Sequence, residues 1–402
     1  MRQAVRDIDQ KAKKPSTWWL TLPSTVVLVW GIATAVASLL ALDRFREGML
    51  LTYPPRYLCL AVTIAASSVF AACGCRKRAW IAMSCCGLLG VQFGWGPASL
   101  GAAVDRTDGF TILAFNVHDQ TAHVAKLAEL CRKENVDFLL LQEVRPENRS
   151  AFVNGLSEFD FVHADESQTF EHSDHGPFSS LIGIHRSLKG QQPVEIDTAI
   201  TGYRTFALRL PIRKSTSAKS KSEVTGIWLV NVHTTKAFWT ADGLTGLHEK
   251  ADMKSAWHVK ERALLESWLA RHRSEPVILG GDFNAPWNSH NLRINGLDNA
   301  HLSSGAGPHL TFPRAFPVCG LDHILGTAPI EFLSYRILDT GYSDHCAQIG
   351  RFRIRGFQRE RPESDRPPTE EAENAPATSD TDDEEADGDA SQVPVLDVAS
   401  PR

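Results

Sequence analysis

Val277-Ile-Leu-Gly-Gly-Asp-Phe-Asn-Ala-Pro286 is the stretch from which the fold of this chain is read. Val277, Ile278 and Leu279 form a short apolar run with β-branched residues, which suits a strand covered on both faces. Gly280 and Gly281 let the backbone pass close to a bulky neighbour, or bulge. Asp282 and Asn284 follow at i and i+2, on one side of an extended chain, and Pro286 ends the strand. A carboxylate and an amide together at a strand's end suit the holding of a water and a phosphate oxygen. An Asx-rich turn without chemistry is the bland alternative. The stretch alone does not decide between the two.

Upstream, Thr111-Ile-Leu-Ala-Phe-Asn-Val117 reads as a strand ending in polar residues. Ala122 to Glu134 places Val124, Leu127, Leu130 and Cys131 on one helical face. Asp137-Phe-Leu-Leu-Leu-Gln-Glu143 is a second buried strand, and it too ends in a carboxylate. Strand, helix and strand in that order predict an α/β domain. Further strands are expected at Phe161 to Ala164, Leu181 to Arg186, Tyr203 to Ile212 and Gly226 to Thr234. Strands in succession without helices imply antiparallel pairing in a mixed sheet. His248 to His272 reads as a long helix with Trp257, Leu264, Leu265, Trp268 and Leu269 on its apolar side. Leu321 to Leu325, Phe332 to Leu338 and Cys346 to Ile354 complete the strands, and the domain spans 109–357.

Ahead of this body the composition changes. Residues 1–17 form a basic segment with Arg2, Arg6, Lys11, Lys13 and Lys14. Residues 18–98 hold three apolar stretches: Trp18 to Leu42, Tyr57 to Cys73, and Ala79 to about Trp95. The first is long enough to cross a bilayer core of roughly 30 Å and too long for the apolar part of a signal peptide. Trp18, Trp19, Trp80 and Trp95 fall near the ends, as interfacial anchors do. Three transmembrane helices are expected, giving a multi-pass membrane protein. The five basic residues of the N-terminus and Arg76-Lys77-Arg78 outnumber Arg44, Arg46 and Arg56 of the first connection. The positive-inside rule therefore predicts an extracytoplasmic catalytic domain.

The formal charge of −5 is unevenly spread. The segment 358–402 carries fourteen acids against four arginines, which leaves the rest of the chain mildly basic. That balance is compatible with an anionic substrate and too small to argue for nucleic acid by itself. The segment is rich in Pro, Glu, Asp, Ser, Thr and Ala, and it is expected to be an acidic disordered tail. Of eight cysteines, five lie in the apolar third, and no CxxC spacing occurs, so small packing residues are expected rather than disulfides or a zinc cluster.

Five polar signatures sit at expected strand ends: Asn116, Gln142-Glu143, Asn231-Val-His233, Asp282-Phe-Asn284, and Asp322-His323 with Ser343-Asp-His345. In this order, from about Thr111 to Phe357, they resemble the endonuclease/exonuclease/phosphatase superfamily, the deoxyribonuclease I-like enzymes. The resemblance implies a four-layer α/β sandwich, two mixed β-sheets flanked by helices. It also implies roles. Glu143, Asn116 and Asp344 resemble the residues at the metal, and two carboxylates with an amide oxygen suit Mg2+ or Mn2+ rather than zinc. His345 resembles the catalytic histidine and Asp322 the residue that orients it. Asp282 matches the position that aims the attacking water, and Asn284 and His233 match those that hold phosphate oxygens.

Two features depart from the pattern. His118 stands where many nucleases of the family have Asp, and no glutamate partner for His233 is evident. His163, His172, Asp174 and His175 lie in a polar loop, read as solvated rather than as a second metal site. Arg213, Lys214, Lys219 and Lys221 read as a hairpin connection in water. The expected function is a membrane-anchored, divalent-metal-dependent phosphoester hydrolase, a nuclease-like phosphodiesterase. The alternatives are hydrolysis of phospholipid head groups or a catalytically inactive binding module on a membrane stalk. The expected partners are a phosphoester substrate, nucleic acid or phospholipid head group, and the lipid bilayer; no protein partner is predicted.

Overall fold

The computed structural model describes residues 18–40, 42, 51, 56–91, 96, 109–164, 179–188, 193, 195–197, 200, 205–213, 224–236 and 247–357. Its first sheet holds β1 (Phe110–Asn116), β2 (Phe138–Val144), β3 (Phe159–Ala164), β4 (Ser179–His185), β11 (Ile330–Leu338) and β12 (Ala347–Ile354). The order is β11-β12-β1-β2-β4-β3. Its second sheet holds β5 (Glu195–Asp197), β6 (Phe206–Arg213), β7 (Val224–His233), β8 (Val277–Asp282), β9 (Leu297–Asn299) and β10 (Asp322–Thr327), in the order β5-β6-β7-β8-β10-β9.

Side-chain alternation sorts these strands into layers. Ile112, Ala114, Phe138 and Leu140 face between the sheets, where they meet Leu208, Leu229, Ile278 and Ile324. Their neighbours Leu113, Phe115, Leu139 and Leu141 face outward onto α4 (Val124–Glu134) and onto Phe152 of α5 (Arg149–Gly155). Across the second sheet, Trp228, Val230, Val277 and Leu279 meet Leu265, Trp268 and Leu269 of α6 (Leu247–Arg271). Strands covered on both faces are why the sequence shows apolar runs rather than strict alternation. The result is helix, sheet, sheet, helix, the α/β sandwich expected.

One end of the sandwich gathers the polar strand termini. β1 and β2 run parallel, with Asn116 opposite Gln142. β7 and β8 run parallel, with His233 opposite Asp282. β10 is antiparallel to β8, which sets the start of β10 at Asp322 against Asp282. β12 is antiparallel to β1, so His345, two residues before β12, reaches the same end. The inward parity of the apolar residues continues into this end: 112, 114, then Asn116; 278, 280, then Asp282.

Gly280 and Gly281 serve close approach. A Cβ on Gly280 would meet Leu140 Cδ1 of the facing sheet at 2.8 Å. Gly281 has φ +140, and a Cβ there would lie 2.0 Å from the Val232 carbonyl oxygen. Gly281→Ala is therefore expected to lower stability by about 2–4 kcal/mol, from backbone strain and overpacking together. Thermal unfolding of the full-length chain checks this; an unchanged midpoint would show that the second glycine is dispensable.

The short elements β5, β9 and α7 (Ala300–Ser304) were not expected from sequence. Three-residue strands carry no period. α7 does carry a signal, Asn299, whose side chain accepts from the His301 and Leu302 amides as an N-cap.

The N-terminal region departs from expectation in helix length. α1 (Trp18–Leu39), α2 (Arg56–Ala72) and α3 (Arg76–Val91) pack on one another through Leu28, Ala35, Cys59, Phe70, Ala82 and Leu89. Among the described residues only α1, over Trp19–Leu39, is long and apolar enough to cross a membrane. α2 has 17 residues, of which the apolar part is Cys59–Ala72. At about 1.5 Å per residue it falls short of a core of about 30 Å. α3 has 16 residues and places Arg76, Lys77 and Arg78 in its first turn. The described residues thus hold one helix of spanning length with two shorter apolar helices against it, and the end of the third expected stretch, up to about Trp95, lies outside the described residues. Residues 1–17, the acidic tail 358–402, most of the polar loop between β3 and β4 and the Ser/Lys-rich connection lie outside the described residues.

Candidate active site

His345 and Asp322 touch. The His345 Nδ1 lies 2.9 Å and 3.0 Å from the two Asp322 carboxylate oxygens. A carboxylate only accepts, so Nδ1 carries the proton and donates it. On the other side of the ring, Nε2 lies 3.7 Å from Asp282 Oδ2. Phe312 packs against the imidazole at 4.7 Å between centroids. Thr311 Oγ1 accepts from the Leu321 and Asp322 amides, and Ser343 Oγ accepts from the His345 amide while donating to the Asn116 carbonyl. The pair is thus fixed from four strand ends. Burial by itself would lower the His345 pKa, but the negative charges of Asp322 and Asp282 outweigh it and push it up to about 10. The imidazole is an imidazolium at neutral pH. Asp282 is raised, first by burial and then by Asp322, against the opposing charges of His345 and His233.

Asp282 is held by two further contacts. Asn116 Nδ2 donates to its Oδ2 at 3.1 Å, and the Asn284 amide donates to its Oδ1 at 2.8 Å. The second contact closes an Asx-turn, and Asn284 has φ +45. The strand therefore stops at Asp282, and Asn284 is brought back by a turn rather than by extension to i+2. The turn and the chemistry, set as alternatives in the sequence, coexist here. Asn284 Nδ2 donates to the Thr234 carbonyl.

Glu143 lies across the site from this group. Alternation after Leu139 and Leu141 would send it to the helix side, but φ +56 re-aims it. Its Oε2 lies 3.1 Å from His118 Nδ1. Its Oε1 lies 2.9 Å from Lys236 Nζ and 3.4 Å from His233 Nε2. Glu143 is therefore the carboxylate partner of His233 that the sequence did not reveal. Burial would raise Glu143, but the His118 and His233 contacts and the Lys236 charge hold it well below the usual carboxylate range. Of five non-glycine residues with positive φ among the described residues, four (His118, Asp119, Glu143 and Asn284) belong to this end of the sandwich. Strain of that kind costs about 1–3 kcal/mol per residue and collects at functional sites.

The residues expected at a metal are arranged in two parts. Glu143 and Asp344 flank His118, whose Nδ1 is 3.7 Å from Asp344 Oδ1. Asn116 is turned to Asp282, and its Oδ1 accepts from the His118 amide. Among the described residues, two clusters bring ligand atoms within 4.8 Å of one another: Glu143, His233 and Asp282; and Asp282, Asp322 and His345. Glu143 Oε1 is buried with no hydrogen bond of good geometry, only ionic neighbours. A buried, ionised, incompletely satisfied carboxylate beside a second one fits a hard divalent cation.

Three polar residues grouped with these signatures are structural. Gln142 Nε2 donates to Asn231 Oδ1 at 2.7 Å, and Asn231 Nδ2 donates to the Leu141 and Leu181 carbonyls, which ties the two sheets below the site. His323 Nε2 contacts the Ala285 carbonyl and the ring packs on His309; burial lowers its pKa to about 3. Lys236 was missed. It stands three residues past His233, and its position just beyond a strand end is the signal that marks it.

Several solved structures are similar to this chain. An endonuclease/exonuclease/phosphatase from Bacteroides vulgatus is 16% identical, with 62% of this chain and 100% of that chain covered and a TM-score of 0.45. Truncated TDP2 from Caenorhabditis elegans is 14% identical, with 61% and 98% covered and a TM-score of 0.43. A mannosyl-6-phosphatase from Bacteroides thetaiotaomicron is 14% identical, with 60% and 99% covered and a TM-score of 0.43. A comparison with curated proteins gives no match. The model of the Endonuclease/Exonuclease/phosphatase family matches residues 113–345, more than half of the chain, from inside β1 to the histidine of the His345–Asp322 pair. With the family's motifs converging at one end of the sandwich, the chain belongs to the Endonuclease/Exonuclease/phosphatase family.

Proposed function

We propose that this chain is a membrane-anchored, divalent-metal-dependent phosphoester hydrolase whose active site is the end of the sandwich holding His345, Asp322, Asp282 and Glu143. The observation that carries the reading is the buried line Asp322–His345–Asp282, one imidazolium between two carboxylates, opposite a third carboxylate ringed by basic groups. Phosphoester hydrolysis needs a polarised phosphate, an aimed water and a protonated leaving oxygen. Asp282, raised by burial, takes the proton of the attacking water as the water oxygen bonds to phosphorus. His345 stays charged through Asp322 and donates its Nε2 proton as a hydrogen bond to a phosphoryl oxygen. Asn284 holds a second oxygen, and His233 gives a proton to the leaving oxygen as the phosphorus–oxygen bond breaks. Glu143 and Asp344, with Asn116 beside them, would hold a Mg2+ or Mn2+ ion, which neutralises charge on the scissile phosphate. The polar set is complete, which argues against an inactive binding module.

Phosphodiester cleavage in nucleic acid is the first substrate reading. A specific contact favours phospholipid head groups as the second: Arg293 donates to the Ser38 and Leu39 carbonyls at the end of α1, which holds the catalytic body against the helices. The full-length chain in detergent, assayed with Mg2+ on DNA, RNA, phospholipid and phosphosugar, tests both. No turnover on any phosphoester would sink the reading.

The proposed topology is multi-pass with the body outside the cytoplasm. It draws support from Arg78, which reaches Thr25 in the first half of α1, whereas Arg293 caps its far end. The basic turn and the catalytic body thus lie at opposite ends of the helices. A reporter active only outside the cytoplasm, fused after Phe357, is expected to be active. Labelling of the body from the cytoplasm in intact cells would contradict this.

A further inference from the structure

Two titratable side chains on α6 are buried and take no part in the proposed chemistry. His258 and Glu261 are 1% and 2% exposed and stand three residues apart, on one helical face. Both close on Thr235, just past the end of β7. The His258 ring donates to the Thr235 carbonyl. The Glu261 carboxylate accepts from the Thr235 amide, with each oxygen at 3.2 Å, and from Thr235 Oγ1 at 3.0 Å. Burial, with the Lys254 charge added to it, lowers the His258 pKa to about 4, so the neutral ring holds the carbonyl without adding charge. Thr234 is tied in turn to the Asp282–Asn284 turn. Its amide donates to the Asp282 carbonyl, its hydroxyl donates to the Phe283 carbonyl, and its own carbonyl accepts from Asn284 Nδ2. A carboxylate is costly to bury unless it is hydrogen-bonded. Here one is buried to hold a single residue of a strand exit.

The residue so placed is Lys236. Its Nζ lies 2.9 Å from Glu143 Oε1, and its side chain is 33% exposed. Burial would lower its pKa, but the charges of Glu143, Asp282 and Asp344 together raise it. An ammonium drawn to all three carboxylates lies among them, in the mouth of the site. A counter-charge for Glu143 alone leaves the apparatus behind it unexplained, because a lysine on a flexible four-carbon stem finds a carboxylate without a fixed backbone. We infer that Lys236 binds a non-bridging oxygen of the substrate's phosphoryl group, and that His258 and Glu261 are positioning residues that aim it there through Thr235. The inference rests on the phosphoester-hydrolase reading above and adds to it a contact with the substrate. An ammonium has three N–H donors, so it can stay on Glu143 and still grip a phosphate oxygen.

Inorganic phosphate is the probe for the test, titrated calorimetrically into the full-length chain in detergent with Mg2+ present. Lys236→Met is expected to weaken phosphate binding by about tenfold, and Lys236→Arg, which keeps the charge, to recover most of that loss. Glu261→Ala is expected to weaken it by about fivefold alone and by nothing further in Lys236→Met, because the carboxylate acts through the lysine. His258→Phe is expected to follow the same pattern. Glu261→Gln, which keeps an acceptor for the Thr235 amide, should stay within about twofold of the wild type. Unfolding curves identify any variant that fails to fold. If Glu261→Ala is one, Thr235→Val, which removes only the hydroxyl contact, takes its place, with about threefold weaker binding alone and none added in Lys236→Met. Wild-type phosphate affinity in Lys236→Met would overturn the assignment of the lysine. Losses that simply add in the double variants would overturn the positioning role of the α6 pair. Phosphate binding that depends on Lys236 in a chain that turns over no phosphoester would keep the inference and remove the functional reading; turnover with a phosphate affinity indifferent to Lys236 would do the reverse.

Discussion

Replacing His345 with alanine is expected to slow hydrolysis by about 10²–10⁴-fold, the usual contribution of a positioned acid–base group. Asp322→Ala is expected to cost less. In the double variant the second loss should add little, because Asp322 acts only through the imidazole it touches at 2.9 Å. Steady-state rates of the four proteins decide this; simply additive losses would mean two independent roles. The pH profile gives a second readout. The folded pKa of His345 is raised from 6.5 to about 10. The charged form, and the stability its pairing contributes, is therefore fully present below pH 6.5 and is lost as pH rises through about 10. Activity that depends on the imidazolium should fall on the alkaline side, near pH 10 rather than near neutrality. Asp322→Asn removes the largest of the raising influences, so the alkaline limb should move to lower pH. A limb that stays in place would show that Asp322 does not set the charge of His345.

Much of this site was legible because strand parity is a local property. Asn116, Asp282 and His233 each continue an inward-facing apolar series, so their direction follows from the residues before them. Depth along the strand is not local. Gln142 and Asn231 share that parity but sit one step below the opening, where they bond each other across the sheets instead of facing substrate. Glu143 reaches this end for a reason the sequence does not contain, since its direction depends on a left-handed backbone rather than on alternation. The Glu143–His233 pair joins the two sheets, and no single-strand pattern encodes a cross-sheet contact. The N-terminal helices pose a different question. Apolar composition marked all three, but whether a run spans a bilayer depends on where the helix starts and stops, and the charged first turn of α3 shortens its apolar part.

Glu143→Gln is the other large effect expected. The exchange keeps the shape of a side chain that is 1% exposed and removes its charge. Three basic groups converge on that charge: His118 at 3.1 Å, Lys236 at 2.9 Å and His233 at 3.4 Å. Two consequences separate a ligand from a structural anchor. A lost ligand removes part of several kcal/mol of charge stabilisation at the phosphate, so the rate should fall on the order of 10²-fold or more. Raising Mg2+ should then recover part of it, because weaker binding is overcome by mass action. A structural anchor would instead lower the unfolding midpoint and leave the Mg2+ dependence of the surviving activity unchanged. The acid side adds an independent check. Because the Glu143 carboxyl is held well below 4.5, its charge and the stability it contributes are present above that value and are lost only as pH falls through the depressed folded pKa. In the wild type, acid inactivation traced to this group should therefore begin well below pH 4.5, and Glu143→Gln should erase that component. A Glu143→Gln variant with wild-type rate and wild-type Mg2+ requirement would remove Glu143 from the metal set and return it to the role of a buried counter-charge for Lys236.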